Sequence, residues 1–382
     1  MKKIFVASFG SDAGGIEKSL IEFLKLLVSD GHEVDLCLWR EPGLLFNQIP
    51  PEVHLIHSAS LYPGSLRKGR FSFGRMIWYL CFRIFQLMGI PTKAFKRRDG
   101  QYDIAIAYCQ NGYTPYYVID KVEANQKYLF YHHGSYSRNR WEKGIDRYYY
   151  SKYDSVITVS NANRDMLLSH MPWLNGHSQV IHNMVDEDKI RKLAKDTICE
   201  NVGEPHSIVT VGRVAPEKGQ FFCLMVAEYL RKHNFEFQWY FIGEGPDIEK
   251  CREYVQKKQL DGYCFFLGAR VNPYPYMQQA DVYVQTSSIE ADPITIREAK
   301  VLKKIILASD IPPVREALAN GTLGFLIPLR CEAFGEALLA LFKGELDTRT
   351  VQKNLENIQS VNDDSIERIR KLVNGDGNCK KA

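Results

Sequence analysis

The chain has 382 residues, of which 45% are hydrophobic and 25% are charged. This composition is ample for a buried core, and the length predicts about two domains of ~150–200 residues each. A net charge of +4 does not by itself indicate a nucleic-acid-binding protein. Nine scattered cysteines, without a C-x-x-C pair or a Cys/His cluster at zinc-ligand spacing, fit a reducing cytosol and exclude the common zinc motifs.

Short β-branched or aromatic runs alternate with longer amphipathic segments in the first half of the chain. Residues 1–9 form too short an apolar stretch for a signal peptide and predict the first strand. Residues 15–31 carry apolar side chains at helical spacing and end at a glycine, which indicates a helix. The strands predicted in this half are 2–9, 33–39, 53–58, 102–108, 127–133, 155–160 and 178–183.

The second half begins after a polar linker, 196–207, that is broken by glycine and proline. The longest apolar run before it, 76–90, is too short to span a bilayer and contains Arg83, so no transmembrane helix is expected. Beyond the linker, strands are predicted at 207–214, 237–243, 263–269, 281–287, 304–310 and 324–328.

Two successive series of alternating strands and helices predict an α/β protein with two Rossmann-like, doubly wound parallel sheets facing a cleft. The predicted domains are 1–195 and 206–345, followed by a helical tail, 346–382, that packs back on the first domain. Ligands of such sheets bind beyond the carboxyl ends of the strands. Gly14 and Gly15 lie there, between the first strand and the first helix, although any tight turn can use glycine.

Two groups of charged residues in the second half could bind a ligand. Arg213 and Lys218 follow a strand, and a guanidinium with an ammonium suits a diphosphate, although a solvated loop explains two basic residues equally well. Stretch 287–300 places Glu290 before a predicted helix start and Glu298 inside that helix. The carboxylates are either solvated on the surface or accept hydrogen bonds from ligand hydroxyls.

The predicted helix start is Asp292-Pro293, because aspartate suits the N-cap and proline the first helical position. The backbone amides of Ile294 and Thr295 would then be available to a phosphate. A nucleotide-sugar has phosphate and hydroxyl groups in the order that this stretch offers to a ligand.

The chain resembles retaining glycosyltransferases of the GT-B fold and the family 4 type over nearly its whole length. The resemblance rests on "GGIEKSLIEFLKLLVSDGHEV", "VITVSNANRDML", "VIHNMVD", "VGRVAPEKG", "FIGEGPDIEK", "FFLGA" and "ADVYVQTSSIEADPITIREA". It implies transfer of a sugar, with retention, from a nucleotide-sugar donor to an acceptor hydroxyl. UDP is the family's commonest carrier, and GDP stays open.

The resemblance also implies roles for individual donor-site residues. Glu298 accepts from the ribose hydroxyls, and Glu290 holds a hydroxyl of the donor sugar. Arg213 and Lys218 neutralise the diphosphate. The other positions of the implied donor site are Gly14, Gly15, Gly268, Arg270, Ile294 and Thr295.

A histidine that ends the "YLFYHHGSY" strand is implied to face the reacting sugar. His133 is favoured over His132, because the H-x-x-Y that begins there fits the family's pattern better. A histidine satisfied within the core is the simpler interpretation of either residue alone.

The sequence departs from the family's pattern at three positions. Ala291 replaces the usual glycine after the first glutamate, Asp292 adds negative charge near the expected phosphate, and Met184 replaces the glycine of N-G-V-D. "DED" at 186–188 matches a metal-binding D-x-D motif, but the family needs no metal, and we interpret it as the first turn of a helix. Neither a metal nor another cofactor is expected.

The stretch 66–98 holds nine basic residues, no acidic ones and seven aromatics. It predicts peripheral attachment to an anionic membrane, although a buried helix with solvated basic flanks is the alternative. The expected acceptor is a saccharide or lipid-linked saccharide of capsule or other polysaccharide biosynthesis, at the inner face of the plasma membrane. The alternative functions are a non-catalytic GT-B subunit, a nucleotide-sugar sensor and a phosphorylase. A phosphorylase would require a pyridoxal lysine site, which we do not find in the sequence. No nucleic-acid partner is expected.

Overall fold

The computed structural model describes most of the chain in two compact units. The described residues are 1–10, 14–39, 43, 45–57, 84, 85, 88, 90, 92, 93, 95–198, 202 and 206–375. Unit 1 comprises Met1–Met184 together with the chain from Asn362 onward, and unit 2 comprises Val185–Val361.

Unit 1 contains a parallel sheet of seven strands in the order β3-β2-β1-β4-β5-β6-β7. The strands are β1 (Lys3–Ser8), β2 (Glu33–Leu38), β3 (His54–His57), β4 (Gln101–Ala107), β5 (Glu123–Tyr131), β6 (Ser155–Thr158) and β7 (Ser178–Val180). Alternate residues of β1 enter opposite cores: Phe5 packs in one buried cluster and Ile4 and Val6 in another. The sheet is therefore covered on both faces, as a parallel sheet requires.

The helices of unit 1 begin where the sequence supplies a start signal. They are α1 (Gly15–Ser29), α2 (Thr114–Lys121), α3 (Arg140–Tyr150) and α4 (Asn161–His170), with 3-10 turns at Phe46–Gln48 and Pro172–Leu174. Asn139 and Glu142 form a capping box at the start of α3. The Ser160 side chain caps α4 by accepting from the Asn163 backbone amide.

Unit 2 contains a parallel sheet of six strands in the order β10-β9-β8-β11-β12-β13. The strands are β8 (Ser207–Val211), β9 (Gln238–Ile242), β10 (Cys264–Gly268), β11 (Val282–Gln285), β12 (Ile305–Ser309) and β13 (Phe325–Ile327). Ile208 and Val209 point into different buried clusters, so this sheet is also covered on both faces. The predicted α/β fold with two Rossmann-like domains is confirmed.

The helices of unit 2 follow the strands in alternation. They are α5 (Glu187–Leu193), α6 (Gln220–Lys232), α7 (Ile248–Lys257), α8 (Tyr274–Gln279), α9 (Ile294–Val301), α10 (Pro312–Ala317), α11 (Cys331–Phe342) and α12 (Thr348–Glu356), with 3-10 turns at Pro216–Lys218 and Ala319–Gly321. Residues 186–188 start α5, where the Asp186 carboxylate accepts from the Lys189 amide at 3.0 Å.

The last described helix, α13 (Asp363–Asn374), belongs to unit 1. Arg370 forms a two-pronged ion pair with Asp30, with both N–O distances at 2.8 Å. The Tyr128 hydroxyl donates to the Leu372 carbonyl at 3.4 Å. The predicted tail, 346–382, is thus divided, because α12 remains in unit 2 and α13 packs on unit 1.

The division between the units differs from the predicted domain boundary. The first domain was expected to extend to residue 195, but unit 2 begins at Val185. The physical reason is that Ile190 of α5 and Ala194 pack in the same buried cluster as Val209 and Tyr240 of unit 2.

Most of the basic stretch 66–98, including most of the apolar run 76–90, lies outside the described residues. Of its described cations, Arg98 donates to Asp35 at 3.1 Å and to the Tyr102 hydroxyl at 3.0 Å. Arg97 is paired with Glu123. Two of the expected lipid-binding charges therefore have intramolecular partners. Among the described residues, we find no helix with the length and apolar character needed to cross a membrane.

Candidate functional site

The loops after three neighbouring strands of unit 2 are bonded to one another at the carboxyl edge of the sheet. The Gly212 amide donates to the Ile242 carbonyl at 3.0 Å, and the Gly243 amide donates to the Gly268 carbonyl at 2.9 Å. A Cβ on Gly243 would lie 1.9 Å from the Gly212 carbonyl oxygen. Since only glycine permits this approach, the loops form one continuous surface at the edge where such sheets bind ligands.

Lys218 and Glu290 form an ion pair on this surface. The Lys218 ammonium donates to both carboxylate oxygens of Glu290, at 2.7 and 2.8 Å, and only 9% of the Glu290 side chain is exposed. Gly219 brings the two loops together: its φ is 77°, and a Cβ there would lie 2.3 Å from the Thr286 carbonyl oxygen. The two residues that the sequence assigned to different parts of a donor are thus direct neighbours.

Gln285 connects this ion pair to the start of α9. Its side-chain amide donates to Glu290 at 2.9 Å, while its carbonyl oxygen accepts from the Thr295 and Tyr283 hydroxyls, each at 2.9 Å. Burial raises the pKa of Tyr283 above its ordinary value, which keeps its hydroxyl a donor. The relay fixes Glu290 beside the N-terminus of the helix.

The helix start differs in detail from the prediction. The residue that precedes α9 is Pro293, and no side chain caps the helix. The Asp292 carboxylate instead accepts two bonds from the Arg297 Nε, at 3.1 and 3.2 Å, with 2% and 6% of the two side chains exposed. The negative charge that Asp292 was expected to add near a phosphate is therefore neutralised by Arg297.

Glu298 lies inside α9 and is only 1% exposed. Its Oε1 accepts from the Tyr274 hydroxyl at 3.0 Å. This burial excludes the interpretation of Glu298 as a solvated surface glutamate. Ile294 and Thr295 form the first turn of the same helix, so their backbone amides have no acceptor within the helix.

The other predicted donor residues of unit 2 are more exposed. Arg213 forms an ion pair with Glu217 four residues later, and 63% of its side chain is exposed. Arg270 donates through its Nε to the Tyr276 hydroxyl at 3.2 Å. Gly268 ends β10 with a φ of 74°. Arg213 stands on the loop after β8, Gly268 ends β10 and Arg270 follows it, so all three lie at the same sheet edge as Lys218.

In unit 1, Gly14 and Gly15 stand at the N-terminus of α1, as predicted. Gly14 is the residue that precedes the helix, with a φ of −81°, and both glycines are exposed. A Cβ on Gly14 would lie 2.3 Å from a carboxylate oxygen of Glu17. Because that oxygen is the end of a flexible side chain, it can move away, and neither this contact nor the backbone conformation requires glycine at this position.

The two adjacent histidines follow β5, which ends earlier than predicted, at Tyr131. His132 is 8% exposed and its ring packs 5.1 Å from the Tyr108 ring, so it belongs to the core. His133 is exposed, and its carbonyl accepts from the Asn163 side chain at 2.5 Å. Partial desolvation and the positive charge of Arg138 lower the pKa of His133, which favours the neutral ring.

A buried carboxylate, which sequence reasoning missed, holds the loop that follows His133. Asp146 of α3 accepts from the Tyr116 hydroxyl at 2.6 Å and from the Tyr136 hydroxyl at 3.0 Å, and Arg138 lies 3.5 Å away. Burial raises the pKa of Asp146, and the hydroxyl donors and Arg138 oppose that shift. Tyr136, the tyrosine of H-x-x-Y, therefore has a structural role. The sequence feature that could have predicted this carboxylate is the position of Asp146 on the apolar face of α3.

Gln285 was also missed, although a glutamine that ends the buried strand "VYVQ" is a recognisable signal. No group of three or more His, Cys, Asp and Glu side chains within the described part of the chain is placed to hold a metal ion. Residues 186–188 accordingly serve as a helix start and do not form such a group.

Comparisons with known proteins match both halves of the chain. The family described as Glycosyltransferase Family 4 matches residues 13–189, and Glycosyl transferases group 1 matches residues 195–357. An uncharacterized glycosyltransferase of Methanocaldococcus jannaschii is 23% identical over 50% of this chain and 50% of its own length. The poly(ribitol-phosphate) alpha-N-acetylglucosaminyltransferase of Staphylococcus aureus is 25% identical over 42% of this chain and 31% of its own length. The matches thus span half or less of these relatives.

Solved structures match the chain over almost its whole length. A glycosyltransferase from Rickettsia africae superimposes with a TM-score of 0.71 at 17% identity, over 98% of both chains. Anabaena HepE in complex with UDP and glucose superimposes with a TM-score of 0.67 at 17% identity, over 98% of this chain and 99% of that one. The two Rossmann-like units and these neighbours define the GT-B fold. Because the family 4 model matches the first half of the chain and the group 1 model matches the second half, the chain belongs to the family 4 type of glycosyltransferases.

Proposed function

We propose that the protein transfers a sugar from a UDP-sugar to an acceptor hydroxyl with retention at the anomeric carbon and without a metal ion. The observation that carries the proposal is the arrangement at the start of α9. The Lys218–Glu290 pair and the relay through Gln285 lie at the N-terminus of the helix. The buried Glu298 is the fifth residue of the same helix. HepE, a structural neighbour, has been solved with UDP and glucose, which supports the choice of donor.

The arrangement suits electrostatic catalysis. As the bond between sugar and diphosphate breaks, negative charge develops on the leaving group, and the Lys218 ammonium and the amides of Ile294 and Thr295 can stabilise it. Glu290 keeps Lys218 in place and offers its carboxylate to a hydroxyl of the donor sugar. Glu298, deeper in the helix, is assigned to the ribose hydroxyls.

The chemistry of the site agrees with retention. No pair of carboxylates is assigned the acid and base roles of a glycoside hydrolase, and the departing phosphate itself can take the acceptor's proton. The S. aureus relative is named as an alpha-N-acetylglucosaminyltransferase, which supports an axial product linkage. The roles of all the donor-site residues stay predictions, including those expected of Gly14, Gly15, Arg213, Gly268, Arg270 and His133.

A thermal-shift panel of nucleotide-sugars tests the donor. A ligand at 100 times its dissociation constant stabilises the protein by about 2.7 kcal/mol, so the correct nucleotide separates clearly from the others. Turnover in excess EDTA tests metal independence, and loss of activity that Mg²⁺ or Mn²⁺ restores would contradict it. The anomeric configuration of the product, read by NMR, decides between retention and inversion.

A non-catalytic subunit or nucleotide-sugar sensor is the alternative. It would bind the nucleotide with the same Glu298 and the same helix N-terminus but would not turn over. Hydrolysis of the donor in the absence of acceptor distinguishes the two, because a site that activates the bond to the diphosphate can also transfer the sugar to water, whereas a sensor leaves the donor intact over the same time.

The acceptor is proposed to be a lipid-linked saccharide of capsule or related polysaccharide biosynthesis, used at the inner face of the plasma membrane. The support is the composition of residues 66–98. Lys93 and Lys96 are exposed and described, so Lys93→Glu with Lys96→Glu should weaken flotation with anionic liposomes at low salt. The matched control reverses two exposed lysines of unit 2, Lys257 and Lys353. If the wild type does not float, membrane attachment is wrong and sugar transfer is untouched.

A further inference from the structure

A polar pocket of about 310 Å³ lies at the outer edge of the unit 1 sheet. Its floor is β7, the last strand in the sheet order, and its walls come from α4 and α13. The lining residues are Asn161, Arg164, Ser178, Gln179, Val180, His182 and Arg368. Stretches 156–167 and 180–186, which carry the family resemblance, supply several of these residues, yet the donor chemistry uses none of them.

Two guanidinium groups face this pocket from different helices. Arg164 of α4 donates through its Nε to the Ser178 hydroxyl at 2.9 Å, which takes one of its five N–H groups. Arg368 of α13 pairs through its Nε with Asp364 at 2.8 Å and donates to the Val180 carbonyl at 3.3 Å. Among the acceptors just named, only Asp364 of α13 is a carboxylate, and 58% of its side chain is exposed. The positive charge of the two guanidinium groups is therefore only partly balanced.

The lining defines the chemistry of a ligand. None of the seven lining residues, all within the described part of the chain, is acidic, and only Val180 is apolar. Guanidinium forks match phosphate oxygens, whereas the amides and hydroxyl of Asn161, Ser178 and Gln179 suit sugar hydroxyls. An acyl chain would instead need an apolar lining. The volume exceeds that of a phosphate alone, which leaves room for an attached sugar.

We propose that this pocket binds the phosphate-bearing saccharide portion of the acceptor. The inference rests on the proposed function and narrows its acceptor to an anionic, phosphorylated glycan.

The pocket is connected to the candidate histidine by a short chain of contacts within unit 1. The His182 Nδ1 lies 2.8 Å from the Val159 carbonyl, so Nδ1 carries the proton because a carbonyl can only accept. The side chain of Asn163 accepts from the Val159 amide at 3.3 Å and donates to the His133 carbonyl at 2.5 Å. The turn between β6 and α4 therefore forms both a wall of the pocket and the support of His133.

The test is a calorimetric titration of glucose 1-phosphate into the full chain. The protein is first saturated with UDP, so that glucose 1-phosphate cannot bind at the nucleotide site. Binding is expected, and Arg164→Gln or Arg368→Gln should each raise Kd about tenfold through the loss of a charge-assisted bond. Gln179→Glu should weaken binding similarly, because it adds a carboxylate to the lining while keeping both arginines. Arg252→Gln, at an exposed arginine of unit 2, is the matched control and should leave Kd unchanged.

Several outcomes would overturn the inference. They are an absence of binding, equal binding of neutral glucose, and an unchanged Kd in the folded Gln179→Glu variant. Arginine-dependent binding of phosphatidylglycerol vesicles without binding of glucose 1-phosphate would assign the pocket to a lipid headgroup and also reject the saccharide. If UDP fails to bind, the nucleotide-sugar function is contradicted, and the same titration without UDP still decides whether the pocket takes a phosphorylated sugar.

Discussion

The buried pair of Asp292 and Arg297 should control both the stability of unit 2 and the position of Glu290. The two side chains are 2% and 6% exposed, and Arg297 also donates to the Val361 carbonyl at 3.1 Å. Arg297→Met leaves a buried carboxylate without its cation, and Asp292→Val leaves a buried guanidinium without its anion. Each single change should destabilise the fold by about 3–5 kcal/mol, because an uncompensated buried charge is far more unfavourable than a missing contact.

The double variant separates charge pairing from simple loss of packing. Asp292→Val with Arg297→Met replaces the ion pair by apolar side chains, a change that is often neutral or stabilising. Its loss of stability should therefore be smaller than the sum of the two single losses by at least about 3 kcal/mol, because each single variant loses about 3–5 kcal/mol and the double variant only the ~1–3 kcal/mol of one unpaired buried group. The remaining loss should reflect the Val361 carbonyl, which is left without its charged donor.

Urea denaturation gives the free energies, and hydrogen exchange of peptides from 286–301 shows whether the loop with Glu290 opens locally. The matched control is the exposed pair of Asp310 and Arg315, which has the same five-residue spacing and a distance of 2.7 Å. Its disruption should have only a small effect. Near-wild-type stability of Arg297→Met, or single effects that simply add, would refute the reasoning. Weakened UDP binding by the single variants, with recovery in the double variant, would show that the pair positions the site.

Three further predictions concern the same unit. Glu298→Ala should mainly raise the dissociation constant for the nucleotide. Glu290→Gln should mainly lower turnover, by about 100-fold or ~2.7 kcal/mol. Near-wild-type kinetics for both variants would contradict the assignment of these residues to a donor site. Gly219→Ala should lower the free energy of unfolding by about 1–3 kcal/mol more than Gly344→Ala does, as measured by denaturation. Both glycines have a left-handed φ, of 77° and 75°, but only a Cβ on Gly219 would meet a carbonyl oxygen, at 2.3 Å. Equal losses of stability in the two variants would contradict the steric explanation. Burial lowers the pKa of Lys300 from 10.5 to about 8. The unfolded chain then binds the extra proton between these values, so wild-type stability should rise with pH across that window relative to Lys300→Met, by up to about 3 kcal/mol, and parallel stability curves would contradict the shift.

The fold could be predicted from the sequence because its signals are local. Each of the thirteen strands in the described part of the chain lies within or overlaps a predicted run, since buried parallel strands require short β-branched or aromatic stretches that no other element uses as readily. The start of α5 at residues 186–188 was likewise predicted, because an acidic first turn is stabilised by the helix dipole. Strand ends were less accurate: β5 ends at Tyr131 because the backbone of His132 bonds to the Gln110 side chain from a distant loop.

The candidate site could be predicted only as a set of residue types at certain sheet edges. Glu290, Glu298 and Lys218 were predicted from sequence to bind one ligand, but the ion pair between Lys218 and Glu290 was not predicted, because nothing local indicates that Lys218 reaches Glu290 across 72 positions of the chain. The role of Asp292 was assigned wrongly for the same reason. A local rule favours aspartate as a helix cap, whereas the folded chain buries it against Arg297.

The sequence by itself determined the elements, their order and the residue types at the sheet edges, because propensity and periodicity act over a few neighbouring residues. Only the tertiary structure decided which charges are neutralised and which are buried. Glu298 at 1% exposure and Asp146 in its tyrosine cage depend on packing between elements far apart in the chain. The free energy of a buried charge is set by its solvent exposure and its partners, and neither exists until the sheets and helices have assembled.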